Sequence, residues 1–253
     1  MKPLRIIEQY LRRADWLLRD SVHLVLPETV RRNNIKDQYI DFEVAHRYDE
    51  ERFSNISGRL FNTLEIRALR QALRTVRRHC PNPLILDAPC GSGRITQVWL
   101  TEGLKVTGGD ISSSMLKVAR EKLRGFKRAA QFCIVDLEKL GLNDDSFDLV
   151  SCIRLFHHLD TYHRARILRE IGRVSKRFVL VNVSLSSPYH SVRRRLKRFV
   201  GLGHSRRNST WKEISREAQE AGLRIHSLFY VNRLISEDLI LLYQKASNSG
   251  LRE

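Results

Sequence analysis

Three aspartates, each closing a short apolar run, are the residues of this 253-residue chain whose types and spacing could do chemistry. The first run is Leu84-Ile85-Leu86-Asp87, followed by Ala88-Pro89-Cys90-Gly91-Ser92-Gly93-Arg94 and then by helically spaced Ile95, Val98, Trp99 and Leu100. That pattern reads as strand, tight turn, helix. Gly91 and Gly93 let the backbone pass close to a ligand where a Cβ would intrude. A dinucleotide fingerprint needs a third glycine where Thr96 stands. Asp87, directly before the loop, would also repel a pyrophosphate. It suits a ligand that carries an ammonium group. The second run, Leu104-Lys105-Val106-Thr107-Gly108-Gly109-Asp110, puts an acid 23 residues after Asp87, the interval expected for a ribose contact. The third, Phe132-Cys133-Ile134-Val135-Asp136, reads as a strand whose terminal acid can accept from an adenine amino group.

S-adenosylmethionine satisfies these demands, with an α-amino cation, a sulfonium and no phosphate. The chain resembles the class I S-adenosylmethionine-dependent methyltransferases on these motifs. The family's acid and glycine loop stand here as Asp87 to Gly93, with Pro89 in place of the first glycine. Asp110 matches the ribose acid, Asp136-Leu137 the adenine position, and Asp145-Ser146-Phe147-Asp148-Leu149-Val150-Ser151-Cys152 the fourth-strand motif. Arg154-Leu155-Phe156-His157-His158-Leu159 is similar to small-molecule members of the quinone-pathway type. The resemblance spans roughly residues 80–245. It implies a Rossmann-like, doubly wound α/β fold: a mostly parallel seven-stranded sheet with an antiparallel last strand, plus an N-terminal helical extension. The cofactor-binding set that it implies is Asp87, Ala88, Pro89, Gly91, Gly93, Asp110, Ile111, Met115, Asp136, Leu137, Cys152 and Arg154. Asp87 and Gly91 fall to the methionine side.

The elements that must position these residues follow from pattern. Leu60, Leu64, Ile66, Leu69, Leu73 and Val76 give a helix between Gly58 and Arg78, ended by Pro81-Asn82-Pro83. Ser112 caps a helix through Met115, Leu116, Val118, Ala119 and Leu123, and Asp160 starts another through Ile167, Leu168, Ile171 and Val174. Arg177 to Val183 is an apolar run of the buried-strand kind. Ser209-Thr210 starts a helix that ends near Gly222, and Leu223 to Val231 with Asp238 to Gln244 form an antiparallel pair. The domain division is then 1–79, an N-terminal helical extension and cofactor lid; 80–245, the methyltransferase domain, with a substrate-lid insertion at 184–208; and 246–253, a frayed tail.

Composition bounds the partners. Hydrophobic residues make up 42%, enough for a sizeable core without staples. Four cysteines form no C-x-x-C pair and no zinc spacing, so no metal site is expected and a reduced cytosolic compartment is the simpler reading. The net charge of +17 is spread along the chain and favours anionic partners: nucleic acid, an anionic membrane face or a phosphorylated substrate. Residues 1–26 read as an amphipathic helix with Ile7, Leu11, Ala14 and Leu18 on one stripe. It either packs on the domain or lies on an anionic membrane, which makes the protein cytoplasmic or peripheral on a membrane's inner face. No apolar run of spanning length and no cleavable signal is expected.

The activated methyl of such a cofactor needs alignment first and a base second. His158, and after it His157, are the candidate bases just past the fourth strand, with His190 and His204 as outside candidates. By resemblance, Tyr48 and Arg52 with Tyr189, His190 and Arg194 close the substrate side, and Arg52 or Arg59 meets the cofactor carboxylate. The basic run Arg193 to Arg198 serves a substrate clamp, an anionic lipid or an RNA backbone, or is a solvated helix face. The family's amino-methylating signature, Asn or Asp followed by Pro-Pro-aromatic, is absent. The reading is therefore O- or C-methylation of a small or lipid-linked acceptor. An RNA methyltransferase is the enzyme alternative, and a non-catalytic binding module with a basic face is the alternative of another class.

Overall fold

The structure is a computed structural model and describes residues 56–126, 129–185, 208–232 and 238–246. The described chain runs α1 (Ile56–Arg77), β1 (Ile85–Asp87), α2 (Arg94–Thr101), β2 (Val106–Asp110), α3 (Ser113–Lys122), β3 (Ala130–Ile134), β4 (Phe147–Cys152), α4 (Thr161–Val174), β5 (Ser175–Ser184), α5 (Trp211–Glu220), β6 (Leu223–Tyr230) and β7 (Asp238–Lys245). The strands make one seven-stranded sheet in the order β3-β2-β1-β4-β5-β7-β6. Pairing is parallel from β3 to β5, and β7 runs antiparallel to both β5 and β6. This is the doubly wound α/β sheet with a reversed strand that the sequence implies. Its order reverses at β1, where the crevice for a ligand opens beyond the strand ends.

Side-chain parity divides the core into two layers. Ile85, Leu149, Phe178, Leu180, Ile240 and Leu242 pack on one face with Ala68, Leu69, Ala72, Leu73 and Val76 of α1 and Ile95, Val98 and Trp99 of α2. Leu86, Val150, Cys152, Val179, Val181, Val183, Leu239 and Leu241 pack on the other with Ile167, Leu168 and Ile171 of α4 and Ile214 and Ala218 of α5. The caps follow the sequence. The Ser112 hydroxyl accepts from the Met115 N–H, the Asp160 carboxylate from the His163 N–H, and Thr210 with Glu213 closes a capping box at α5.

The third strand differs from the sequence reading. It ends at Ile134, two residues before Asp136, because β2 supplies pairing partners only as far as Asp110, opposite Ile134. Asp136 stands in a tight turn instead, bridged to Lys139. No helix among the described residues is long and apolar enough to cross a membrane.

Candidate active site

The loop after β1 is built on two glycines with different duties. Gly91 has φ +54°, and a Cβ placed there would have no atom within 4 Å. That opening faces space rather than packing, as a ligand cradle requires. Gly93 has φ +81° and begins α2, and a Cβ there would sit 2.8 Å from Leu123 Cδ1 and 3.2 Å from Ala119 Cβ. It is the close-packing glycine that lets α2 approach the end of α3. Behind the loop, Asp87 is fully buried. Its Oδ1 accepts from Ser151 Oγ at 2.5 Å and its Oδ2 from Thr96 Oγ1 at 2.7 Å, while Trp99 Nε1 donates to Ser151 Oγ at 3.2 Å. Burial pushes the Asp87 carboxyl up to about 6, against the pull of the two hydroxyls and Arg94.

At the end of β2, Asp110 is nearly as deeply placed. Its Oδ2 accepts from the Gly91 N–H at 2.8 Å and its Oδ1 from the Ser112 N–H at 2.9 Å. The carboxylate thus ties the glycine loop to the start of α3. Burial raises its pKa against these backbone donors. Ile111, beside it, is 41% exposed, an apolar side chain left open next to a buried acid. Met115 is buried beneath, and Leu137 packs against the core with the Asp136 turn, whose Oδ1 accepts from the Glu138 N–H at 3.0 Å. Cys152 is fully buried on the α4 side, and Ala88 is core. Pro89 follows Ala88 through a cis peptide bond.

Past β4 the chain enters Arg154 with φ +69°, an uncommon conformation for a side chain of that size. Its N–H donates to Asn182 Oδ1 at 2.6 Å. Its guanidinium stands 4.5 Å from the Phe61 ring centre, and its Nε is 2.8 Å from Glu65 Oε1. Glu65, fully buried on α1, also meets Arg94 Nη2 at 2.7 Å through Oε2, and Arg94 Nη1 donates to Asn62 Oδ1 at 2.6 Å. One carboxylate therefore joins α1, the first residue of α2 and the exit of β4. Burial raises the Glu65 pKa, but Arg154 and Arg94 outweigh it and leave the pKa lowered. His157 and His158 lie on the 3-10 turn Phe156–His158, with their ring centres 4.0 Å apart.

Residues 85–177 match the family model described as a methyltransferase domain. That stretch is thus similar to a methyltransferase domain. The chain is 24% identical over 132 residues to the ubiquinone biosynthesis O-methyltransferase of Coxiella burnetii, covering 49% of this chain and 54% of that protein. It is 32% identical over 130 residues to the demethylmenaquinone methyltransferase of Thermotoga maritima, covering 50% and 52%. The chain thus spans about half the length of these two curated relatives. In fold it is similar to magnesium protoporphyrin IX methyltransferase from Synechocystis, solved with bound S-adenosylhomocysteine. That TM-score is 0.63 at 19% identity, over 81% of this chain and all of that one.

The expected residues Asp87, Gly91, Gly93, Asp110 and Ile111 gather around the loop between β1 and β2, and Arg154, His157 and His158 stand at the exit of β4. Tyr48, Arg52, Tyr189, His190, Arg194, His204 and the rest of the basic run lie outside the described residues, as does the amphipathic stretch 1–26. Arg59 is on the exposed side of α1. Sequence reasoning did not single out Glu65, Thr96 as a partner of Asp87, or Asn182. Glu65 had a signal. It is the one acid in α1, and it stands on the buried stripe with Leu69, Ala72 and Val76.

Proposed function

We propose that the protein transfers the methyl group of S-adenosylmethionine to oxygen or carbon of a small or lipid-linked acceptor. The observation that carries this reading is the pairing of an open glycine cradle with a buried carboxylate tied to it, Gly91 and Asp110. The residues fit such a cofactor. Both Asp110 oxygens accept backbone hydrogen bonds, and the carboxylate keeps a lone pair for a ribose hydroxyl. Ile111 offers an apolar face to the adenine ring, and the Asp136 turn an acceptor to its amino group. Asp87 has both oxygens engaged by hydroxyls, so it would act on an ammonium group through its field, from behind the loop.

When bound, the cofactor supplies a methyl already activated on a sulfonium. The chain's own residues then have to place the acceptor in line and take up its proton. His158, with His157 beside it, would accept that proton from a hydroxyl or an acidic carbon; a base with pKa near neutrality serves this best. The likeness to quinone-pathway methyltransferases supports an acceptor of the phenol or enol class.

The test is calorimetric titration with S-adenosylmethionine and S-adenosylhomocysteine, with ATP and NAD as controls. Binding of the two sulfur ligands alone is the expected result. Folded protein that binds neither removes the reading and leaves a binding module in its place.

A further inference from the structure

We propose that Asn182 is a specificity-determining residue of the acceptor site, its carboxamide N–H donating to the oxygen of a phenol or enol acceptor. This rests on the methyltransferase reading above and deepens it.

Position comes first. Val181 of β5 pairs with Cys152 of β4, so Asn182 lies opposite the residue after β4. Phe178 and Leu180 pack in the α1 layer, and Val179, Val181 and Val183 in the α4 layer. By alternation the Asn182 side chain stands on the α1 side, the side of Asp87 and Ser151. It reaches toward the strand ends, because its Oδ1 meets the N–H of Arg154, beyond the last residue of β4. Asp110 and the glycine loop occupy the β1–β2 end of this edge. Asn182 occupies the β4–β5 end, beside the exit of β4 at Arg154.

Orientation is fixed by chemistry. A backbone N–H can only donate, so the oxygen of the carboxamide must face Arg154 and its NH2 group must face away. That NH2 group has no hydrogen-bond partner among the described residues, although the residue is 1% exposed. Its polar neighbours on the same face are satisfied within the protein. Ser151 donates to Asp87, Trp99 to Ser151, and Ser184 to Asp238. A buried amide donor without a partner is costly, and one held in place by its own oxygen is prepared for an acceptor that arrives later.

Asn182→Asp keeps an oxygen for the Arg154 N–H and replaces the donor by an acceptor. The wild type and this variant are titrated with S-adenosylhomocysteine. With that ligand saturating, they are then titrated with 3,4-dihydroxybenzoate and with 2-hydroxy-1,4-naphthoquinone. The expected result is an unchanged affinity for S-adenosylhomocysteine and at least a tenfold loss for whichever probe the wild type binds. Equal probe affinity in the variant overturns the proposal. So does parallel loss of both ligands, which would make Asn182 a structural support of Arg154, and so does wild type that binds S-adenosylhomocysteine but neither probe. Wild type that fails to bind S-adenosylhomocysteine strikes the methyltransferase reading instead.

Discussion

Replacing Asp87 by asparagine should stabilise the free protein at neutral pH while weakening its hold on the cofactor. The carboxyl of Asp87 is fully buried, and burial lifts its pKa from 3.8 to about 6. An acid whose pKa is raised on folding binds its proton more tightly in the folded state. Stability is therefore highest below the unfolded pKa and falls as pH rises from 3.8 toward 6. A gap of roughly two units, at about 1.4 kcal/mol each, puts the cost of the ionised form near 3 kcal/mol above pH 7. Asparagine imitates the protonated acid. Ser151 Oγ accepts from Trp99 and donates to Asp87, and keeping that donation holds the amide oxygen on the Ser151 side and turns the NH2 to the Thr96 hydroxyl. Imperfect mimicry reduces the gain to about 2 kcal/mol, or roughly 4–8 °C in Tm for a domain of this size. The assay is thermal unfolding of both proteins from pH 4 to pH 8, in which every other titration cancels in the difference. The difference should be near zero at pH 4 and reach its full value by pH 7. A constant difference, or an asparagine variant that melts lower at pH 7, would refute the argument. Affinity for S-adenosylhomocysteine should fall about tenfold in the variant, since roughly 1.4 kcal/mol of attraction to the ammonium is lost with the charge.

Glu65→Gln should act in the opposite sense. It leaves the Arg94 and Arg154 guanidiniums, each less than one-sixth exposed, without their shared carboxylate, at a cost of roughly 3–5 kcal/mol in denaturant unfolding. The lowered pKa of Glu65 means that this stabilisation is present above the unfolded value and is lost as pH falls through the folded one, so the variant should lose most of its deficit in strong acid. Gly91→Ala and Gly93→Ala should separate binding from folding. At Gly91 the new Cβ meets nothing in the free protein, so stability falls by only about 1 kcal/mol for the positive φ, while affinity for S-adenosylhomocysteine collapses. At Gly93 the Cβ collides with Leu123 and Ala119, and roughly 2–4 kcal/mol of stability goes with it. Equal stability losses at the two positions would reject these assignments.

Elements with local signals were legible in the sequence. Ser112, Asp160 and Thr210 announced their helices, because a cap is a contact between residues two or three apart. The acids ending β1 and β2 were legible for the same reason. Asp136 was placed at a strand end because its apolar run continues to Val135. The strand stops sooner, and the limit is set by β2, a different stretch of chain. Glu65 and Asn182 were hidden by their surroundings. One sits in a helix that reads as amphipathic, the other inside the run Phe178 to Val183 that reads as uniformly apolar. Their roles depend on partners 89 and 28 residues away, Arg154 in both cases.

The side of the sheet on which Asn182 stands is itself decided far from the site. Phe147 pairs with Ser175, but Leu149 pairs with Phe178, so β5 takes three steps while β4 takes two. This is a bulge at Lys176 and Arg177, and past it every side chain of β5 has changed face relative to β4. Without it, Leu149 would oppose Arg177, and Asn182 would project into the α4 layer among Cys152, Val181 and Val183. Ser175 holds the irregularity in place. Fully buried, its Oγ donates to the Phe178 carbonyl at 2.8 Å and accepts from the Arg177 N–H at 3.2 Å, satisfying backbone groups that the interrupted ladder leaves over. A serine hydroxyl at the start of the strand thus supports the register in which the carboxamide seven residues later stands on the side of Asp87 and Ser151, with its oxygen on the Arg154 N–H, rather than in the α4 layer.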